Sequence, residues 1–179
     1  MIQKKTLWFF LLQDKGGYKL PGSIKVRKTA KALVKNDNTP IQRSLFDYVP
    51  EEDFNDLEKS VALYLDEQER LLWWYRNLSR QDYYVQGWKK HRIYPDFIFT
   101  DTDSGKPSNY NQVFVVETKG LHLKNEDTDY KKSVFKFCNA LGQQKDWHEL
   151  NLEFSEKRIE FQVIYQSDWQ KEINRIFAV

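Results

Sequence analysis

Cysteine is almost absent from this chain. Cys138 stands alone among 179 residues, so no intrachain disulfide can form and no zinc cluster can be built on cysteines. That usage suits a reducing compartment. Histidine is scarce too, and His91, His122 and His148 have no spacing that suits a metal. Long apolar runs are missing: LWFFLL, residues 7–12, is far too short to span a bilayer. It follows two lysines, as the apolar part of an export leader would. But no small-residue cleavage site comes after it, and it is short and aromatic for that role. The chain reads as soluble, cytoplasmic and without a membrane partner. No G-x-x-x-x-G-K-[ST] loop is present, which excludes ATP chemistry by that route. Excess charge is lacking as well. Lys and Arg number 28 against 26 Asp and Glu, a net +2, so the total makes no case for a nucleic-acid partner. There are no internal repeats and no low-complexity tracts.

Apolar residues make up 40% and aromatic ones 16%, enough for a packed core and too many for wholesale disorder. The length suits one medium domain with an appendage. Charge is unevenly spread. Residues 1–35 hold nine bases and one acid, Asp14, whereas residues 36–70 hold ten acids and three bases. Lys25, Arg27, Lys28, Lys31 and Lys35 have no acid among them. They form either a solvated linker face or a phosphate-binding surface.

KTLWFFLLQDKGGYKLPG, residues 5–22, sets two apolar stretches about a glycine turn and predicts a β-hairpin. The basic stretch after it reads as a linker or a short helix. Residues 1–49 thus form an N-terminal hairpin and basic extension, and residues 50–179 the main domain. A helix is expected from Pro50 onward, because proline suits a first turn and Glu51, Glu52 and Asp53 complement the helix dipole. Phe54, Leu57, Val61 and Leu65 give it one apolar stripe. Glu58 lies on that face and either needs a partner or reaches water. LLWWYRNLSR, residues 71–80, is expected to continue or bend this helix. DYYVQGW (82–88) and RIYPDFIFTD (92–101) predict paired strands, and QVFVVETKG (112–120) a third. A second helix is expected from about Asp129 to Trp147, with Tyr130, Val134, Phe137, Cys138 and Leu141 inward and Lys131, Lys132 and Lys136 outward. KRIEFQVIYQ (157–166) predicts a last strand. SDWQKEINRIF (167–177) predicts a last helix, with Ser167 and Gln170 spaced as a capping box. The order predicts a mixed α/β fold in which helices cover a small sheet.

Two of these strands end in charge. YPDF presents Asp96, and VVETKG presents Glu117 and Lys119. Residues i and i+2 of a strand share a face, so Glu117 and Lys119 project together beyond Val113 and Val115. If the Asp96 strand pairs with this one, the two carboxylates lie side by side. At ~4 Å they repel by roughly 4 kcal/mol for an effective dielectric of about 20. They stay together only if one is protonated or a cation bridges them. All-oxygen ligands with room for water suit Mg2+. A lysine beside such an ion can orient or deprotonate water and neutralise phosphoryl charge. The plainer reading of the same residues is a pair of solvated strand ends.

YPDF followed by VVETKG resembles the PD-(D/E)XK nuclease superfamily. Pro95 and Asp96 match its proline-aspartate, and Glu117, Thr118 and Lys119 its E-x-K. The resemblance implies a restriction-endonuclease-like α-β-β-β-α-β core from about Pro50 to Gln166. It implies a DNA endonuclease domain dependent on Mg2+, with Mn2+ as a substitute. Asp96 and Glu117 would hold the metal, and Lys119 would position or activate water. Glu58 fits the acidic residue that many members carry on the first helix, assisting through the metal shell. The longer pattern LEKSVALYLD … WWYRN … YPDFIF … VVETKG is similar to the C-terminal nuclease domain of type III restriction subunits and related helicase-nucleases. That implies a helicase-type motor, and a methyltransferase subunit, as partners in restriction–modification defence. The resemblance spans roughly two-thirds of the chain and leaves residues 1–49 without a counterpart. Related nucleases often use polar residues of the helix after E-x-K, which brings in Tyr130 and Lys131, though Tyr130 equally suits the core. Lys89, Lys90, Arg92, Lys132 and Lys136 are candidate DNA phosphate contacts or simply solvated surface. Trp73 and Trp74 either stack on bases or fill the core. The rival from another class is a catalytically inactive DNA-binding or assembly module on the same fold.

Overall fold

Asn55, not Pro50, starts the first α-helix. In the computed structural model, which describes residues 31–102, 112–120, 126–142 and 158–178, Glu51–Asp53 form only a single 3-10 turn. Helix α1 then runs Asp56–Asp66. The Asn55 side chain accepts the Glu58 amide at 2.9 Å, and the Glu58 carboxylate accepts the Asn55 amide at 3.0 Å. This reciprocal capping box satisfies two of the donors that every helix start leaves open.

The helix does not continue through residues 71–80. Leu71–Arg76 is a strand, β1, because its run of aromatics, Trp73 to Tyr75, packs well on a pleated surface and loses rotamer freedom in a helix. A register shift between Leu71 and Trp73 breaks the alternation, so the strand carries no clean period of two. Next come β2 (Val85–Gln86) and β3 (Arg92–Ile93), paired only with each other as a small hairpin. Then follow β4 (Phe97–Asp101), β5 (Gln112–Lys119), α2 (Glu126–Gly142), β6 (Arg158–Tyr165) and α3 (Trp169–Phe177). The expected partnership of residues 82–88 with 92–101 is confined to that hairpin, and β4 pairs instead with β1 and β5. The main sheet has the order β1-β4-β5-β6. Its first two pairings are antiparallel, and β5 and β6 are parallel. Parallel neighbours need a crossover connection, and α2 lies in it.

Two apolar clusters occupy the two faces of this sheet. Trp74, Phe97, Phe99, Phe114 and Val116 pack with Val61 and Leu65 of α1 and with Ile173 and Phe177 of α3. Ile98, Val113, Val115 and Phe161 pack with Tyr130, Val134, Phe135 and Cys138 of α2. Phe135 takes the deep position expected of Phe137, which is only half-buried. The anticipated Ser167 cap of α3 does not form. Its hydroxyl donates to Asp168 Oδ2 at 2.7 Å, and the N-cap makes no side-chain bond to the helix.

Leu33 and Val49 join the first cluster, so the described end of the basic extension packs on the main domain. Asp66 anchors it. Its buried carboxylate accepts the amides of Gln42 and Arg43 and the Trp74 indole N–H, and pairs with Lys35 at 3.1 Å. Lys35 is therefore engaged internally. Lys25, Arg27 and Lys28, the expected hairpin at residues 5–22, and His122 and His148 lie outside the described residues. No helix among the described residues is long and apolar enough to cross a membrane.

Candidate active site

Strand alternation places the site. On β5, Val113 and Val115 face α2, while Phe114 and Val116 face α1 and α3. Glu117 continues the first row. Phe97 lies opposite Val116, where the paired run ends. The Asp96 amide donates to the Val116 carbonyl at 2.8 Å, out of the regular ladder, and this keeps Asp96 at the Glu117 end of the sheet, near enough for its charge to act on Glu117.

Asp96 is held from both sides. Its Oδ2 accepts the Thr118 amide at 2.6 Å and the Thr118 hydroxyl at 2.8 Å. Its Oδ1 lies 3.3 Å from Arg76 Nη1. Arg76 Nη2 reaches Glu58 Oε2 at 2.8 Å, so one guanidinium links the Glu58 carboxylate of α1 with that of Asp96, just before β4. Arg76 is itself fixed. It donates to the carbonyls of Asp53 and Asp96, and its charge lies 5.6 and 5.5 Å from the ring centroids of Phe54 and Phe97.

Glu117 is 3% exposed. Its Oε1 accepts Lys119 Nζ at 2.7 Å and Lys131 Nζ at 2.6 Å. Its Oε2 is buried without a hydrogen-bond partner. Burial, then the charge of Asp96, pushes this carboxyl above the usual glutamate range despite the two ammoniums. Burial likewise raises the Glu58 carboxyl, against the pull of Arg76 and the Asn55 amide, and Asp96 adds to the rise. Burial alone would lower the Lys131 ammonium, but the Glu117 charge and hydrogen bond outweigh it and hold Lys131 above its ordinary value.

Asp96, Glu117, Lys119, Glu58 and Lys131 thus meet at one end of the sheet. Lys131 was expected to face away with Lys132 and Lys136, and instead turns onto Glu117. Helix α2 crosses the sheet face on which Glu117 projects, and a buried carboxylate attracts the nearest cation. Lys132 and Lys136 are exposed and border a groove with Glu160, Gln162, Glu172 and Arg175, none of which belongs to the Asp96 cluster. Tyr130 is a core residue whose hydroxyl accepts the Lys89 amide at 3.0 Å. Trp74 is fully buried in the core. Lys89, Lys90 and Arg92 sit exposed around the β2–β3 turn.

Sequence reasoning missed Arg76, Thr118 and Asn55. Asn55 and Glu58 have the spacing of a capping box, which was legible once the helix start moved off Pro50. Arg76 was hidden because β1 was read as helix. As a strand, it shares a face with Trp74 and so points inward.

The donor set fits a hard divalent cation. Glu117 Oε2 is an acceptor without a partner, the Asp96 carboxylate is near enough to act on it, and Mg2+ takes one or two carboxylates while keeping its waters. Among the described residues, no three His, Cys, Asp or Glu side chains form a ready-made cage. Water would complete such a site, since Glu58 Oε2 is committed to Arg76 and the Asn55 amide. Compared with protein-family models, curated proteins and solved structures, the chain matches none.

Proposed function

We propose that the chain is a Mg2+-dependent nuclease domain, with Mn2+ as a substitute, that hydrolyses DNA phosphodiester bonds at the Asp96–Glu117–Lys119 cluster. One observation carries this reading. Glu117 Oε2 is buried and unpartnered, and its carboxyl faces the field of a second carboxylate. Buried acceptors without partners are rare in folded proteins and usually mark a missing ion or water or a chemical role. The order α1, β1, β4, β5, α2, β6 supports a restriction-endonuclease-like core beneath it.

Asp96 and Glu117 would hold the cation. When bound, it would polarise a phosphoryl oxygen and acidify its own water. Thr118 fixes the orientation of Asp96 through two hydrogen bonds. Lys119 orients the attacking water, and together with Lys131 supplies positive charge for the phosphoryl group. Glu58 acts through Arg76, which keeps Asp96 in place. A helicase-type motor and a methyltransferase subunit are the partners implied by the resemblance to type III restriction subunits.

Incubation of the chain with DNA in Mg2+ or Mn2+ should give cleavage that excess chelator abolishes. Asp96→Ala, Glu117→Ala and Lys119→Ala should each abolish it while remaining folded. The second reading, an inactive DNA-binding module, is favoured by one feature: Arg76, Lys119 and Lys131 already neutralise the three carboxylates. Binding of DNA with no cleavage in either metal would select it.

A further inference from the structure

Among the described residues, only Val34 and Trp88 are large apolar side chains left exposed, and Trp88 is the one aromatic. It stands at the β2–β3 turn, followed directly by Lys89, Lys90, His91 and Arg92, all exposed. The turn is pinned to α2. Tyr130 accepts the Lys89 amide at 3.0 Å, and the Lys89 ammonium lies 4.6 Å from the Tyr130 ring centroid. The Trp88 ring meets the Tyr130 ring edge to face at 4.9 Å. Gly87 packs so closely that a Cβ there would clash with the Tyr130 hydroxyl. The next residue along α2 is Lys131, which touches Glu117. A rigid, exposed indole with a run of cations is therefore fixed to the helix that supplies Lys131 to the carboxylate cluster.

We infer that Trp88 is a stacking platform for an unpaired base, and that Lys89, Lys90 and Arg92 hold the flanking phosphates of a single strand. This rests on the nuclease reading and narrows its substrate to DNA with an unpaired stretch near the scissile bond. Charge complementarity selects a polyanion, and the flat aromatic selects one with accessible π-faces. Bases inside a duplex are already stacked on both sides, so a fixed indole gains little from them. Phosphate contacts by the three cations serve both forms.

The test uses the full chain carrying Asp96→Ala, so that bound DNA survives. Fluorescence anisotropy compares an oligothymidylate strand with a blunt duplex of two fully complementary strands, with and without Trp88→Ala. Stacking on one base predicts a roughly 5- to 150-fold loss of single-strand affinity. Duplex affinity should change by less than about twofold, and Trp88→Phe should restore most of the single-strand binding. The quench of intrinsic fluorescence by the strand should fall in the Trp88→Phe protein. Unchanged single-strand affinity in Trp88→Ala, equal losses on both DNAs, or no single-strand binding by the parent overturns the inference. None of these outcomes bears on metal-dependent cleavage, which is read separately with the Asp96, Glu117 and Lys119 variants.

Discussion

Arg76 Nη2 lies 2.8 Å from Glu58 Oε2, joining the last residue of β1 to the first turn of α1. The same guanidinium lies 3.3 Å from Asp96 Oδ1. All three side chains are largely buried, with 13%, 11% and 17% of their surface exposed, so water does little to screen them. Glu58 thereby has two structural duties, capping α1 and steadying Arg76. Both precede any contribution to chemistry.

Arg76→Ala should accordingly destabilise the fold strongly. It strands two buried carboxylates, and breaking such a pair costs about 3–5 kcal/mol. Arg76→Lys should recover only part of that. One ammonium cannot reach Glu58, Asp96 and the Asp53 carbonyl together as a planar fork does. Urea melts of the three proteins measure this. An Arg76→Ala midpoint at the wild-type value would show that the bridge contributes nothing.

Glu117 should give stability a pH dependence opposite to that of an ordinary paired acid. Its folded-state carboxyl is raised by burial and by Asp96. The folded protein keeps this proton at pH values where the unfolded chain has lost it. Stability therefore falls as pH rises from the ordinary glutamate range through the folded value. Glu58 adds a contribution of the same sign. In chelator, Glu117→Gln should flatten this slope. A Gln variant with the slope intact would refute the assignment.

The strands that end in charge were legible because their chemistry is local. Val113 to Val116 is apolar throughout, and the sudden Glu117–Lys119 pair announces an exposed or functional end. The pairing of β4 with β5 was open in the sequence, where it stood only as the condition for Asp96 to meet Glu117. The capping role of Glu58 was obscured by an acidic, proline-led segment that also suits a helix start. In the fold, that segment spends itself on one 3-10 turn. β1 was illegible for a different reason. Its register shift destroys the alternation by which a half-buried strand is recognised, and with it went the direction of Arg76. Lys131 belongs to a run of lysines that share one residue type, and only the packing angle of α2 decides which of them meets Glu117.

Asp66 supplies the ordinary acid limb. Burial alone would raise its carboxyl, but the amides of Arg43 and Gln42, the Trp74 indole and Lys35 outweigh burial and lower it. A depressed folded-state value stabilises above the unfolded range and is lost as pH falls through it. Asp66→Asn should remove this stabilisation at neutral pH and with it the acid-dependent part of unfolding. Asp66→Ala, which leaves four donors without an acceptor, should cost about 3 kcal/mol or more. It should also loosen the segment holding Gln42 and Arg43, read as faster amide exchange at those positions. Normal protection there in Asp66→Ala would mean that the Leu33 and Val49 packing alone holds the segment.

Lys131 and Glu117 should show a direct coupling in a double-mutant cycle. Lys131 Nζ and Lys119 Nζ both touch Glu117 Oε1, so removing one ammonium leaves the other. The loss on Lys131→Met should therefore stay below that of a fully stranded charge, at about 1–3 kcal/mol by urea melts at pH 7. In the Glu117→Gln background the buried carboxylate is gone, and the lysine keeps its desolvation cost against only the exposed Asp127 carboxylate, 3.6 Å away. There Lys131→Met should be neutral or stabilising. The coupling energy, the difference between the two effects, should fall in the range of about 0.5–3 kcal/mol found for residues in contact. The same cycle with Lys132→Met supplies the control, since Lys132 lies against the Tyr165 ring and not on Glu117. Equal effects of Lys131→Met in both backgrounds would place Lys131 outside the Glu117 cluster. They would also remove its assigned share of the positive charge facing the phosphoryl group.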